Sequence, residues 1–314
     1  VTDEKWIEHE PVLLAETIAL LDPRSNNLYL DGTLGGGGHA EAILEASSPA
    51  GRLIGLDRDP RAIRHARVRL ERFGNRVELH ERSFAEIAEI SELDSAGLNG
   101  ALLDLGVSSA QIDEKARGFS YQQDAPLDMR MGPRGEPARD LLARADIDEL
   151  TGIIRLYGEE RHARRVALAI VRERDRHPID TTGRLREIVE RAVPRAEHPL
   201  KSVARVFQAL RIAVNDELET LSSGLPQIFE RLVEGARLVV ISYHSLEDRI
   251  VKKYFRGLAS DCVCPPDFPV CRCDKRSEAI ILTARPVTPA EAESGRNPRA
   301  RSARLRAVER RTAA

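Results

Sequence analysis

The sequence predicts an α/β fold: a doubly wound, Rossmann-like sheet with an inserted helical domain. Three observations carry that expectation. Between residues 28 and 104, short apolar runs that end in acids alternate with helix-period segments, the mark of successive βαβ units. From about 138 to 223 the apolar spacing is helical throughout, and after 237 apolar runs of strand length return. On this pattern residues 1–112 and 224–314 form the sheet domain, and residues 113–223 form the insertion.

Leu28 to Asp31 is the first strand. The run Asp31-Gly32-Thr33-Leu34-Gly35-Gly36-Gly37-Gly38-His39 leads from it into a helix through Ala40 to Ala46. Arg52 to Asp57 is the second strand, and Asp59 and Pro60 are the N-cap and first-turn residues of a helix reaching Leu70. Arg76 to His80 is the third strand, and Ala101 to Leu105, after a turn at Asn99-Gly100, the fourth. Residues 112–135, rich in Gly, Pro and Asp, read as loop. In the insertion Val166, Ala167, Ile170 and Val171 recur at helix spacing, as do Leu185, Ile188, Val189, Ala192 and Val193 behind a Thr182 cap; such stripes are core faces. The sheet resumes at Arg237 to Ser242. A helix follows from about Leu246, with Ser245 and Asp248 spaced as a capping box. Ala279 to Ala284 and Ser302 to Val308 are expected as a hairpin closing one sheet edge.

A net charge of -2 argues against a chain that is basic all over. Charge is instead local. Residues 151–215 hold 14 Arg or Lys against 8 Asp or Glu, and residues 296–306 hold five Arg and no acid. That distribution suits one face for a polyanion, or helix faces laced with ion pairs. The longest apolar runs, such as Leu238 to Ile241, are too short to span a bilayer, and no signal pattern opens the chain, so a cytoplasmic protein is expected.

In an open parallel sheet, ligands bind beyond the carboxyl ends of the strands. Four features gather there. The glycine run opens a helix whose N-terminal N–H groups are free for an anion. Asp57, ending strand two, is placed to take both hydroxyls of a ribose. Phe84, after strand three, is placed to lie against a purine. Asp104 ends strand four. These residues point to an adenosine ligand and leave open which one, since Gly35-x-Gly37-x-x-Ala40 also fits a dinucleotide fingerprint.

Longer motifs narrow the choice. They are His9-Glu10-Pro11-Val12-Leu13-Leu14; Asp31 to His39; Leu102 to Gln111; Arg117-Gly118-Phe119-Ser120; Pro126 to Met131; and Tyr157-Gly158-Glu159-Glu160-Arg161. Later come Phe207 to Ile212 with Val214-Asn215, Ile241 to Arg249, and Asn297 to Ser302. In order, from about residue 9 to 311, they resemble the ribosomal small-subunit RNA methyltransferase H family (RsmH, or MraW). The resemblance implies the methyltransferase form of the sheet, S-adenosyl-L-methionine as cofactor, and methylation of a cytidine N4 amino group in 16S rRNA at the decoding centre. It implies the small ribosomal subunit as the setting, with neither membrane nor DNA as partner. Donor contacts are implied for Gly37, Gly38, His39, Asp57, Phe84, Asp104 and Gln111. Ala110 departs from the family's usual Pro, and the segment from His198 to Phe207 is longer than the common pattern.

The chemistry such an enzyme faces is a poor nucleophile, because the lone pair of a cytosine amine is delocalised into the ring. Acceptors that hold the amine protons free it, and placement supplies much of the rest. Asp104 and His244, beyond strands four and five, are the candidate catalytic residues, although His244 also stands where it would only lead into a helix cap. The acid-or-Asn-Pro-Pro-aromatic motif of DNA amino-methyltransferases is absent, since Asp104-Leu105-Gly106-Val107 stands in its place. A non-catalytic RNA-binding assembly factor is the alternative reading. Cys262, Cys264, Cys271 and Cys273, the chain's only cysteines, have spacing open to zinc or to plain loop cysteines, so the metal assignment stays unknown.

Overall fold

Seven strands form one sheet: β1 (Leu28–Asp31), β2 (Arg52–Asp57), β3 (Val77–Glu81), β4 (Leu98–Asp104), β5 (Leu232–Ser242), β6 (Ala279–Ile281) and β7 (Arg304–Arg310). The computed structural model describes residues 10–93, 97–194, 198–264 and 270–311. His9, the first residue of the N-terminal resembling block, lies outside them. The strand order is β3-β2-β1-β4-β5-β7-β6. The first five strands are parallel, and β7 runs antiparallel between β5 and β6. The crossovers reverse direction beside β1, which sets a switch point between β1 and β4. The two late strands do pair antiparallel at the sheet edge, but a long connection carrying a helix joins them, so they are no tight hairpin.

The described chain divides into two compact units, a sheet unit up to Gly106 and from Leu218 onward, and a helical unit Val107–Glu217. In the sheet unit, alternate strand residues face opposite layers, as the two-residue period requires. Tyr29, Leu53, Leu102, Val239 and Ile241 pack in one core with residues of α1 (Leu14–Leu21), α2 (Gly38–Ala46) and α3 (Pro60–Arg69). Leu30, Ile54, Leu56, Ala101, Leu103 and Leu238 pack in another, with residues such as Leu221, Leu225 and Val251 from helices later in the chain. Burial on both faces is what a doubly wound sheet demands of its strands.

The helical unit holds α4 (Ser109–Asp113), α5 (Ala138–Arg144), α6 (Ile147–Gly158), α7 (Ala163–Arg174), α8 (Thr182–Ala192) and α9 (Pro199–Asn215). Val166, Ala167, Ile170, Leu185, Ile188 and Val189 form its core, as their spacing predicts. The cap of α8 is Thr181, one residue before the expected Thr182. Its hydroxyl accepts from Arg184 N–H, while Thr182 Oγ1 donates to the Gln123 carbonyl. Residues 112–135 are less free than their composition suggests. Asn215 accepts from Met131 N–H at 2.7 Å and donates to the Met129 carbonyl at 2.8 Å, and Met129 is held at φ 64°. Three further helices, α10 (Glu217–Glu230), α11 (Ser245–Ala259) and α12 (Glu291–Arg296), complete the described helices. Among the described residues no helix is long and apolar enough to cross a membrane.

Candidate active site

The site is built at the carboxyl ends of β1, β2 and β4. Gly37 caps α2 with φ 78°, a conformation that strains any residue with a Cβ. Gly38 lies against Pro11, which a Cβ there would strike. The glycine run is therefore fixed from both sides, and Asp57 clamps its start: Oδ2 accepts from Gly35 N–H and Oδ1 from Asp59 N–H, each at 2.8 Å. Asp59 in turn caps α3 by accepting from Arg61 N–H, with Pro60 in the first turn.

Asp31 is 1% exposed. One carboxylate oxygen accepts from Thr33 N–H, and Oδ2 is buried with no hydrogen-bond partner. Burial pushes its pKa up to about 7, and the nearby charges of Asp104 and Asp57 add to the rise. Asp104 is also pushed up to about 7, by burial against a lowering hydrogen bond from Tyr243. Asp57 is pushed up to about 6 by burial, opposed by its two N–H donors. No Arg or Lys forms an ion pair with Asp31 or Asp104 among the described residues. This is an anionic recess in which ionisation is costly until a cation arrives.

His39 completes it. Nε2 lies 3.0 Å from the Val12 carbonyl, which can only accept, so Nε2 carries the proton and Nδ1 is bare. Nδ1 stands 3.7 Å from Asp104 Oδ2. Burial lowers the His39 pKa to about 4, so the ring is neutral at pH 7 and this is no ion pair. Two acceptors thus face one another across a gap too long for a hydrogen bond. An N–H donor or a proton suits that gap. Asp104 is held in place by its own N–H, which donates to Thr33 Oγ1 at 2.6 Å, and by Tyr243, whose hydroxyl donates to Oδ1 at 2.8 Å.

Phe84 opens a short turn after β3, capped by Ser83. Its ring lies against Gly224 of α10, where a Cβ would come within 2.5 Å of it. Gln111 belongs to the helical unit. Its Oε1 accepts from Ser108 N–H at 3.0 Å in a capping box for α4, and its Nε2 donates to the Met131 carbonyl at 3.4 Å. Ala110 is the second residue of that short helix.

A model of the MraW methylase family matches residues 6–311. The chain belongs to that family. It is similar to proteins named ribosomal RNA small subunit methyltransferase H from Heliobacterium modesticaldum (51% identical), Pelobacter propionicus (53%) and Citrifermentans bemidjiense (50%). Each match covers 96% of this chain and 98% of the relative.

Other residues singled out in the sequence are placed differently from what their spacing suggests. His244 is itself the N-cap of α11: its Nδ1 accepts from Glu247 N–H at 3.4 Å, and Glu247 Oε2 accepts from Tyr243 N–H at 2.8 Å. The capping box is thus His244 with Glu247, displaced by one residue from Ser245 and Asp248. Asp248 instead pairs with Arg306 at 2.6 Å and Arg304 at 3.2 Å. The C-terminal arginine run is therefore no single phosphate-facing stripe, since Arg306 is buried on Asp248 while Arg299 and Arg301 are exposed. Many cations of the helical unit are likewise paired, among them Arg184 with Glu173 and Arg211 with Glu217. Arg155 of α6 and Arg165 and Arg172 of α7 are exposed and form no ion pair among the described residues. Tyr243 lies within the Ile241 to Arg249 motif, and nothing in its local spacing ties it to Asp104, which its hydroxyl reaches in the fold.

Proposed function

We propose that the chain transfers a methyl group from S-adenosylmethionine to the N4 amino group of a cytidine in 16S rRNA, near the decoding centre, as part of small-subunit maturation in the cytoplasm. The observation that carries the donor is the anionic recess: buried Asp31 and half-buried Asp104 and Asp57 at three strand ends, beside a glycine-opened helix. The donor bears a fixed sulfonium charge and an ammonium group, and so fits Asp31 and Asp104, which form no ion pair with Arg or Lys among the described residues. A nicotinamide dinucleotide would bring phosphate charge to the same acids. Family membership and the names of the relatives support methylation of small-subunit ribosomal RNA, and the family resemblance supports the cytidine amine.

When bound, the donor supplies an electrophilic methyl group. The chain's residues do the rest. Gly37, Gly38 and His39 shape the turn that receives the donor, Asp57 takes the ribose hydroxyls, and Phe84 borders the purine. Gln111 is assigned to the donor on the resemblance. Asp104, fixed by Tyr243 and Thr33, presents an acceptor at the end of β4. Holding an amine proton there pulls the nitrogen toward a tetrahedral form and frees its lone pair. The nitrogen becomes cationic and strongly acidic on transfer, so a weak acceptor suffices to take the proton. His244 uses Nδ1 in its cap, and its buried Nε2 lies 3.3 Å from Glu247 Oε1, so Asp104 is the better placed of the two acceptors.

The target base has to leave its stack to be reached. Residues 113–223 serve as the recognition domain, with Arg155, Arg165 and Arg172 as phosphate contacts. Incubating the protein with methyl-labelled donor and 16S rRNA, then digesting to nucleosides, tests the reading. Label in N4-methylcytidine is expected. Label confined to another nucleoside, or donor displaced by a nicotinamide dinucleotide in calorimetry, would overturn it.

A further inference from the structure

We propose that Cys262, Cys264, Cys271 and Cys273 form a structural zinc site in the loop between α11 and β6. Their sulfurs all lie within 4.8 Å of one another. The separations Cys262–Cys271, Cys271–Cys273 and Cys273–Cys262 are 3.4, 3.6 and 3.7 Å. A tetrahedron of sulfurs, each about 2.3 Å from a zinc ion, has edges of about 3.8 Å. The thiols therefore already stand near the spacing the metal needs, and none is in a disulfide.

The chain's path explains how. Each Cys-x-Cys pair brings two sulfurs to the same cluster. Two such pairs, facing, supply a full tetrahedral set. Backbone N–H groups aim at the sulfurs: Val263 donates to Cys273 at 3.2 Å, Cys264 to Cys262 at 3.3 Å, and Arg272 to Cys264 at 3.4 Å. Donors of this kind offset thiolate charge around a metal.

Hydrophobic burial does not account for the convergence. Cys262 and Cys271 are exposed, and Val263 and Val270 are 66% and 67% exposed, so among the described residues of the loop no apolar core draws the thiols together. The loop's base is fastened, by Ser277 N–H to Asp261 at 2.9 Å and Glu278 N–H to the Leu258 carbonyl at 2.8 Å. Soft thiolates in a tetrahedron select zinc over hard cations. On binding, the thiols release their protons and neither zinc nor sulfur changes oxidation state. The zinc closes the loop onto the sheet edge. Strands β5 and β7 separate β6 from β4, so the ion has no part in methyl transfer.

The test is metal analysis of the purified chain, prepared without added metal, by inductively coupled plasma mass spectrometry. About one zinc per chain is expected, with the thiols shielded from a thiol reagent until a chelator removes the metal. The chelated protein should take up cobalt(II) and gain the visible absorption of a tetrahedral thiolate site. The C264S/C273S variant should lose zinc about tenfold or more while still binding S-adenosylmethionine. If that variant does not fold, the cobalt titration of the unmutated chain decides. Protein that holds iron instead, shows paired disulfides by mass, or takes up neither zinc nor cobalt overturns the proposal.

Discussion

Donor binding should strengthen steeply with pH if Asp31 and Asp104 receive the cation as proposed, because both carboxylates are protonated in the free protein below neutrality. Asp31 and Asp104 are each pushed up to about 7 by burial, whereas His39, at about 4, stays neutral through this range. A carboxylate with a pKa of about 7 is roughly 90% ionised at pH 8 and roughly 10% at pH 6. If one such group must ionise to bind the donor, affinity falls about tenfold between those pH values; if both must, about a hundredfold, or about 1.4 to 2.7 kcal/mol. The same shifts act on stability with the opposite sense. A folded pKa raised above the unfolded one favours folding below about pH 4, and that advantage is lost as pH rises through about 7, by on the order of 4 kcal/mol for Asp31. The donor should therefore raise Tm more at pH 8 than at pH 6. Calorimetry in two buffers of different ionisation heat measures affinity and proton release together. S-adenosylhomocysteine, which lacks the sulfonium charge, should show the shallower dependence. Equal affinity at pH 6 and pH 8, or binding at pH 6 without proton release, refutes the reasoning.

Asp57→Ala should weaken S-adenosylmethionine about ten- to a hundredfold, the worth of a charged hydrogen bond. It should also lower Tm, because Gly35 N–H and Asp59 N–H lose their acceptor; unchanged affinity in calorimetry counts against the ribose contact. Asp104→Asn should reduce single-turnover methyl transfer at saturating donor far more than it reduces donor affinity, as expected of an interaction realised in the transition state. Full rescue by saturating donor would leave Asp104 a binding residue only. Tyr243→Phe removes the hydrogen bond that holds down the Asp104 pKa, so the acid limb of the pH–rate profile should move to higher pH; an unmoved limb argues that Asp104 does not set it. Changing Arg155, Arg165 and Arg172 to Glu should flatten the log–log salt dependence of RNA binding by roughly 0.7 to 0.9 for each lost phosphate contact, with donor binding intact. An unaltered slope would make that face a solvated surface.

The parts of the fold legible in the sequence were those with local causes. Leu28–Asp31 and Arg52–Asp57 stand as expected because a buried strand ending in an acid, followed by glycine or a capped helix, signals both its ends. β5 starts at Leu232, earlier than Arg237, because Gly235 at φ 75° interrupts an otherwise readable run. The short helices α1 and α4 carry little signal in the sequence, the latter because Ser108 and Gln111 build it from a segment that borders a loop-like composition. The strand-end acids were visible, but their partners were not. Tyr243 reaches Asp104 across 139 residues, and Gly224 exists to admit the Phe84 ring. Asn215 clamps Met129 and Met131 from the far end of the helical unit. Such pairs share no spacing rule. His244 is subtler: here a histidine caps the helix, although the Ser245 beside it is the residue type more often found at that position.

The most direct measurement is mass mapping of 16S rRNA from cells with and without the gene for this chain, at single-nucleotide resolution and with the methylated atom identified. One N4-methylated cytidine near the decoding centre is expected to vanish with the gene, return with the unmutated protein and stay absent or scarce with Asp104→Asn. Identical maps with and without the gene, or loss of a methyl group from a different atom, would contradict it.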